Sequence, residues 1–177
     1  NMRFVKASEQ QIMEHIKKQY KDKADAYLKA VKIAYPNDTD PKDLIDVDVM
    51  FRPGAVDQAN EKSTLKDGAP VYMYLFTWQS PVWDGKYKSL HCMELPFVFD
   101  NIERGKNMTG GGSAAHALAE KVSNSWINFA RTGNPNHDGI PEWPAYTPTN
   151  TATMHLDNTC IVKPQLDKDL FELVSNK

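Results

Sequence analysis

Two cysteines, Cys92 and Cys160, are all that the 177 residues contain, too few for the disulfide framework that holds small secreted domains together. Nothing supports a bridge between them, and buried free thiols are the expectation. Long apolar runs are also missing: the longest span a handful of residues, against the roughly twenty that a membrane-crossing helix needs. An excess of one charge is missing too. The 21 Lys and Arg nearly balance 23 Asp and Glu, for a net charge of −2, which leaves no electrostatic footprint for nucleic acid. The opening residues Asn1 to Lys6 lack the apolar core of a secretory signal, which leaves the compartment of any longer parent open, secreted or periplasmic included. No internal repeat or interdomain linker interrupts the chain. What remains is 41% hydrophobic, 25% charged and 10% aromatic, the composition of one soluble globular domain with a sizeable core.

Metal and cofactor signatures are absent as well. Asp38, Asp40, Asp43, Asp46 and Asp48 cluster, but the stretch lacks the central Gly and closing Glu of a calcium loop. Asp40-Pro41 instead has the form of a helix cap followed by Pro at the first helical position. Carboxylates at a helix start complement its dipole. No cofactor and no metal are expected.

The chain is organised around Pro70 to Asn101. Val71-Tyr72-Met73-Tyr74-Leu75-Phe76-Thr77-Trp78 is almost entirely β-branched, aromatic or long and apolar, without two-residue alternation. That predicts a strand buried on both faces. Ser80 to Gly85 carries the chain off its end through Pro and Gly. His91 then falls on a loop just ahead of a second apolar run, Leu95 to Phe99. A histidine beyond the end of a buried strand sits where α/β enzymes place acid–base groups, although a lone histidine beside apolar sequence is also an ordinary structural residue. Neighbours on an extended segment point to opposite sides, so Cys92 and His91 do not read as a catalytic dyad.

Elsewhere helices dominate. Ser8 and Gln11 form a capping box ahead of Ile12, Ile16 and Tyr20 at helical spacing. A second helix runs from Lys21 or Asp22 to Ala34, burying Ala24, Tyr27, Ala30, Val31 and Ala34, and stops before Pro36. Eight Lys and Arg face four Asp and Glu over residues 1–35, a net of +4 that a solvated face with Glu14–Lys18 and Asp25–Lys29 pairs accounts for. The next helix carries Leu44 to Phe51, and Pro53 kinks or divides it. Arg104 to Gly112 is polar, Gly-rich and expected to be mobile. Ser113 caps the clearest helix, whose stripe of Ala115, Leu118, Ala119, Val122, Trp126 and Phe129 ends at Arg131, Gly133 and Pro135. Thr153 to Leu156 reads as a short last strand and Asp167 to Val174 as a terminal helix. Asn37-Asp38-Thr39 and Asn107-Met108-Thr109 are glycosylation sequons.

The segment His91-Cys92-Met93-Glu94-Leu95-Pro96-Phe97-Val98-Phe99-Asp100-Asn101 resembles the catalytic-histidine segment of the type B carboxylesterases, the para-nitrobenzyl esterase and cholinesterase family. Its pattern is His, two variable residues, Glu with Leu or Ile, and an apolar run closing in Phe. Three further stretches resemble the same family: Ala69 to Phe76, Phe51-Arg52-Pro53-Gly54-Ala55-Val56, and Trp126 to Pro135 with the Trp143-Pro144-Ala145-Tyr146 turn. The resemblance is strong from Phe51 to Asp157 and weak at both ends.

It implies an α/β fold in which residues 1–177 form a single C-terminal fragment of an α/β-hydrolase domain, helix-rich with a few strands of a parallel sheet and incomplete on its own. It also implies a Ser-His-Glu (or Asp) triad acting on a small-molecule carboxylic ester, with His91 at the catalytic position. Glu94 fits the pattern as a residue orienting the loop through hydrogen bonds, or equally as a carboxylate paired for structural reasons. The nucleophile is missing. Gly111-Gly112-Ser113-Ala114-Ala115 is one residue short of G-x-S-x-G, polar residues precede it, and in this fold the serine comes before the histidine. The triple glycine 110–112 is no oxyanion motif, and nothing in Asn1 to Ser8 supplies the acid. The chain alone is therefore expected to be inert. Its cut sheet edge is expected to drive homo-oligomerisation. Two other classes stay open: a cholinesterase-like binding or adhesion protein without a working triad, and an independent helical interaction domain. Trp78, Trp83 and Phe97 are candidate pocket residues whose default place is the core.

Overall fold

The computed structural model describes residues 7–36, 40–45, 47 and 51–175. The chain divides into two compact units, one of Asn1–Gln58 with Gln165–Lys177 and one of Ala59–Pro164.

In the first unit, Ser8 and Gln11 close the capping box reciprocally at 3.3 and 2.9 Å, and helix α1 (Glu9–Tyr20) buries Ile12, Ile16 and Tyr20. A 3-10 turn at Lys21–Lys23 reverses the chain into α2 (Ala24–Ala34), which buries Ala24, Tyr27, Ala30 and Val31. Ala34 is only half-buried. Tyr20 and Tyr27 stack with centroids 3.9 Å apart, and the Tyr27 hydroxyl donates to the Leu44 carbonyl at 2.7 Å. Burial, with Tyr20 alongside, pushes the Tyr27 phenol well above its usual range. Asp40 caps as expected, its carboxylate accepting from the Lys42 N–H at 2.9 Å. The turn it starts is a short 3-10 helix, Pro41–Ile45; Asp38, Asp46, Asp48 and the Asn37 sequon lie outside the described residues.

Pro53 does not kink or divide a helix here. It lies in the first turn of α3 (Arg52–Ser63), where a missing N–H costs nothing because the first N–H groups have no intrahelical partner. Arg52 and Asp167 are both buried, at 7% and 3% exposed. The guanidinium donates to both carboxylate oxygens and lies over the Phe171 ring at 5.9 Å. Asp167 immediately precedes α7 (Lys168–Ser175), whose Leu170 and Phe171 are buried.

The second unit holds a three-stranded sheet in the order β1 (Met73–Phe76), β2 (Thr153–Leu156), β3 (Ile161–Lys163). β1 and β2 are parallel, with Met73 opposite Thr153 and Phe76 opposite Leu156. β3 returns antiparallel, so the sheet is mixed rather than purely parallel. Pairing continues past the strand end, where the Thr77 and Trp78 N–H groups both reach the Leu156 carbonyl.

β1 is half-buried along its length instead of buried on both faces. Tyr72, Tyr74 and Phe76 share the face turned to the core, meeting Trp143 and Phe129, Trp126, and Phe97 respectively. The other face is apolar too, which erases the alternation that would have marked one face as covered. The core is Trp78, Met93, Phe97, Ile102, Leu118, Val122, Met154 and Leu156, all at most 3% exposed.

Three short segments lead away from β1: a loop to His91, helix α4 (Leu95–Val98) and helix α5 (Lys106–Thr109). The Gly-rich stretch expected to be mobile is thus partly helical. Thr109 is buried and its hydroxyl engages the Ile102 carbonyl and the Gly111 N–H. At Gly105 a Cβ would stand 2.7 Å from Pro96 Cγ, so only glycine lets α5 approach α4 this closely. Helix α6 (Ser113–Thr132) ends on Gly133 at φ 75° as its sequence predicts, but Gly112, not Ser113, occupies the capping position. Its stripe is buried up to Val122, while Trp126 is half-buried and Phe129 is 46% exposed. Beyond it, Trp143 and Tyr146 are buried, and the Tyr146 hydroxyl donates to Asn60 at 2.8 Å.

Removing one partner of the buried Arg52–Asp167 pair strands the other charge away from water. Asp167→Asn should lower unfolding stability by about 3–5 kcal/mol, read from the midpoint of urea denaturation.

Candidate active site

Five histidines can be compared for acid–base work. His15 lies within α1, and His155 in the middle of β2. His116, in the first turns of α6, pairs with Glu103 at 3.3 Å. That pair has the form of a histidine with its orienting carboxylate, but both side chains are about half exposed or more and such a contact is worth little in water.

His137 contacts a serine, with Ser125 Oγ 3.2 Å from Nε2. Sequence reasoning did not flag it. The Gly139 N–H donates to Nδ1 at 3.1 Å, which assigns the ring hydrogen to Nε2. Nε2 therefore donates, toward the Lys121 carbonyl at 3.0 Å, and cannot accept a proton from Ser125. Ser125 is fully buried and already gives its hydroxyl hydrogen to the Lys121 carbonyl. The pair fastens the turn after α6 to the helix and is no nucleophile.

His91 is placed differently. It is exposed, on a turn that follows the C-terminal end of β1, the end of a parallel strand where α/β proteins gather their ligands. The turn is closed by the Met93 N–H donating to the Leu90 carbonyl at 3.0 Å. Cys92 at its third position has φ 64°, a left-handed conformation that side chains with a Cβ disfavour. Met93, wholly buried, then anchors the turn in the core. Cys92 is exposed, contrary to the expectation of two buried thiols, because the positive φ turns the chain at the surface; Cys160 is buried, and burial raises its thiol pKa.

Glu94 is half-buried at the start of α4. Its charge is felt by Tyr74 on β1: burial first, and Glu94 second, raise the Tyr74 phenol above its usual value. Trp78 and Phe97 are core residues, 5.0 Å apart by ring centroids, whereas Trp83 is 72% exposed. Among the described residues no group of three or more His, Cys, Asp or Glu is arranged to hold a metal ion, and no helix is long and apolar enough to cross a membrane.

A parallel strand pair backed by helices, with a histidine turn past the strand end, is part of an α/β-hydrolase fold. Solved structures agree. An esterase from anaerobic Clostridium hathewayi that can hydrolyse aliphatic aromatic polyesters matches with a TM-score of 0.79 and 30% identity, over 97% of this chain and 33% of its own. A carboxylesterase of Geobacillus stearothermophilus matches with a TM-score of 0.65 and 30% identity, over 92% and 34%. Residues 2–172 match the sequence model of the carboxylesterase family, and the chain belongs to that family.

Among its relatives, the para-nitrobenzyl esterase of Bacillus subtilis (strain 168) is 32% identical over 145 residues, 78% of this chain and 29% of that protein. Phenmedipham hydrolase of Pseudarthrobacter oxydans is 33% identical over 111 residues, 60% of this chain and 22% of that protein. The chain thus spans between about a fifth and a third of the length of these four proteins.

Glycine at position 92 removes the Cβ that makes the His91 turn costly. Cys92→Gly should raise unfolding stability by about 0.5–1 kcal/mol, again from urea midpoints; an unchanged or lower midpoint would show that the turn is unstrained.

Proposed function

We propose that this chain supplies the general base, His91, to a serine carboxylesterase acting on a small-molecule carboxylic ester. The observation that carries the reading is the coincidence of the family match with a histidine turn at the C-terminal end of a parallel strand. In that role the imidazole takes the proton of a serine hydroxyl as its oxygen attacks the ester carbonyl. It then delivers that proton to the departing alkoxide, and repeats both transfers with water to free the acid. Glu94, half-buried at the start of α4, supports the turn from its C-terminal side.

The sequence contains no G-x-S-x-G elbow and no HGGG-type oxyanion motif. Without nucleophile and oxyanion donors most transition-state stabilisation is lacking, so the 177 residues alone are inert and activity belongs to a longer family member. β1 is paired on one side only among the described residues, and an open edge recruits other strands. The purified chain should accordingly sediment as a dimer or larger species at high concentration; a clean monomer would retire that reading.

In the full-length enzyme, His91→Ala should lower kcat by roughly 10⁴–10⁶ with an unchanged circular dichroism spectrum. The chain alone should give no His91-dependent hydrolysis of p-nitrophenyl acetate. A full-length protein that keeps its rate without His91 would remove this residue from the mechanism. A parent without the serine would make the chain part of a binding protein.

A further inference from the structure

The loop between β1 and the His91 turn concentrates left-handed backbone. Trp83, Asp84, Gly85 and Lys88 have φ of 56°, 54°, 72° and 47°. Outside glycine such angles are costly, most of all for a residue as bulky as Trp83, and persist only where the surroundings impose them.

Ser80 imposes them. It is 3% exposed, and its hydroxyl is engaged both from α5 and from the start of the loop. The hydroxyl donates to the Met108 carbonyl on α5 and accepts from the Val82 N–H at 3.1 Å. The Ser80 backbone N–H donates to the Lys88 carbonyl, also at 3.1 Å. One residue therefore closes both ends of the loop and fastens them to α5. Gly110, the left-handed cap of α5 at φ 74°, completes the seat: a Cβ there would lie 3.1 Å from Pro81 Cγ and 3.6 Å from Val82 Cγ2. Immediately past Lys88, the Ser89 hydroxyl donates to the Phe76 carbonyl at 3.1 Å, at the end of β1. The Leu90–Met93 turn follows. His91 is thus held on its C-terminal side by buried Met93 and on its N-terminal side by a segment that Ser80 grips.

We infer that Ser80 is a positioning residue for His91, setting the place of the imidazole through the Lys88–Ser89 segment while touching neither the ring nor a substrate. The functional weight of this role rests on His91 being the general base, but the coupling itself lies between two residues of this chain. A serine suits the position because its hydroxyl both donates and accepts. Alanine removes the hydroxyl partner of the Met108 carbonyl and the Val82 N–H, both on half-buried residues.

The test uses the 177-residue chain and the His91 ring resonances, assigned by their loss in His91→Gln and followed through a pH titration. Ser80→Ala should displace those resonances, and should speed amide exchange over residues 81–91 by roughly 10–100-fold while α6 keeps its protection. Ser80→Thr, which retains the hydroxyl, should return both toward wild type. Gly110→Ala, which presses on Pro81 from the opposite side, should move the His91 resonances without touching Ser80, and decides the matter if Ser80→Ala does not fold. The inference is overturned if either Ser80→Ala or Gly110→Ala loosens the loop and leaves the His91 titration superimposable on wild type, or if neither loosens the loop at all. None of these readouts involves catalysis, so a full-length His91→Ala enzyme that stays active would overturn the esterase role and leave this coupling standing.

Discussion

Phe97 is the contact on which the neighbourhood of His91 depends. Its ring is wholly buried and packs against Phe76 and Trp78, each 5.0 Å away by centroid. Phe76 ends β1 and Trp78 lies two residues beyond it; Phe97 belongs to the helix after the histidine turn. A single aromatic cluster therefore ties the chain before His91 to the chain after it, and the intervening residues must make their excursion between two fixed points. Aromatic packing of this kind is both large in buried area and particular in geometry. The exposed turn inherits its definition from a dry core.

Fixed ends explain the company His91 keeps. The path between them runs through tight turns, with positive φ angles at Trp83, Asp84, Lys88 and Cys92. Local strain held by surrounding packing is common where proteins position reactive groups. The other histidines show the contrast. His137 has its tautomer and both nitrogens committed to neighbours on the backbone and Ser125, which suits a fastening and disqualifies a base.

Local chemistry was readable from the residues. The Ser8–Gln11 box, the Gly133 stop and the Ala115–Val122 stripe lie where spacing predicts, because each is decided within a few residues. Features decided at a distance were not readable. A uniformly apolar Val71 to Trp78 cannot reveal which face a sheet will cover, so β1 was read as fully buried. Helix α3 has only Val56 and Ala59 as buried apolar residues, with Gly54 in its first turn, and offers no stripe. β3 is three residues long and mostly half-exposed, too short for a period. The position of His91 on a loop past β1 was readable from the residues, whereas its expected role rests on resemblance to a family, since one histidine on a loop carries no pattern of its own. The grip of Ser80 on Met108 spans 28 positions and leaves no trace in the spacing of residues.

The buried pair of Arg52 and Asp167 joins positions 115 apart in the chain, and this has a consequence in time. The compact unit they belong to is assembled from two stretches with all of Ala59–Pro164 between them. During synthesis at about 5–20 residues per second, Arg52 waits roughly 6–23 s for its counter-charge. All of Ala59–Pro164 is synthesised before then, whereas α1, α2 and the start of α3 precede that stretch and close after it. Order of synthesis and order of closure are thus inverted for this part of the protein, and α1 and α2 must stay soluble with an unburied guanidinium until α7 arrives.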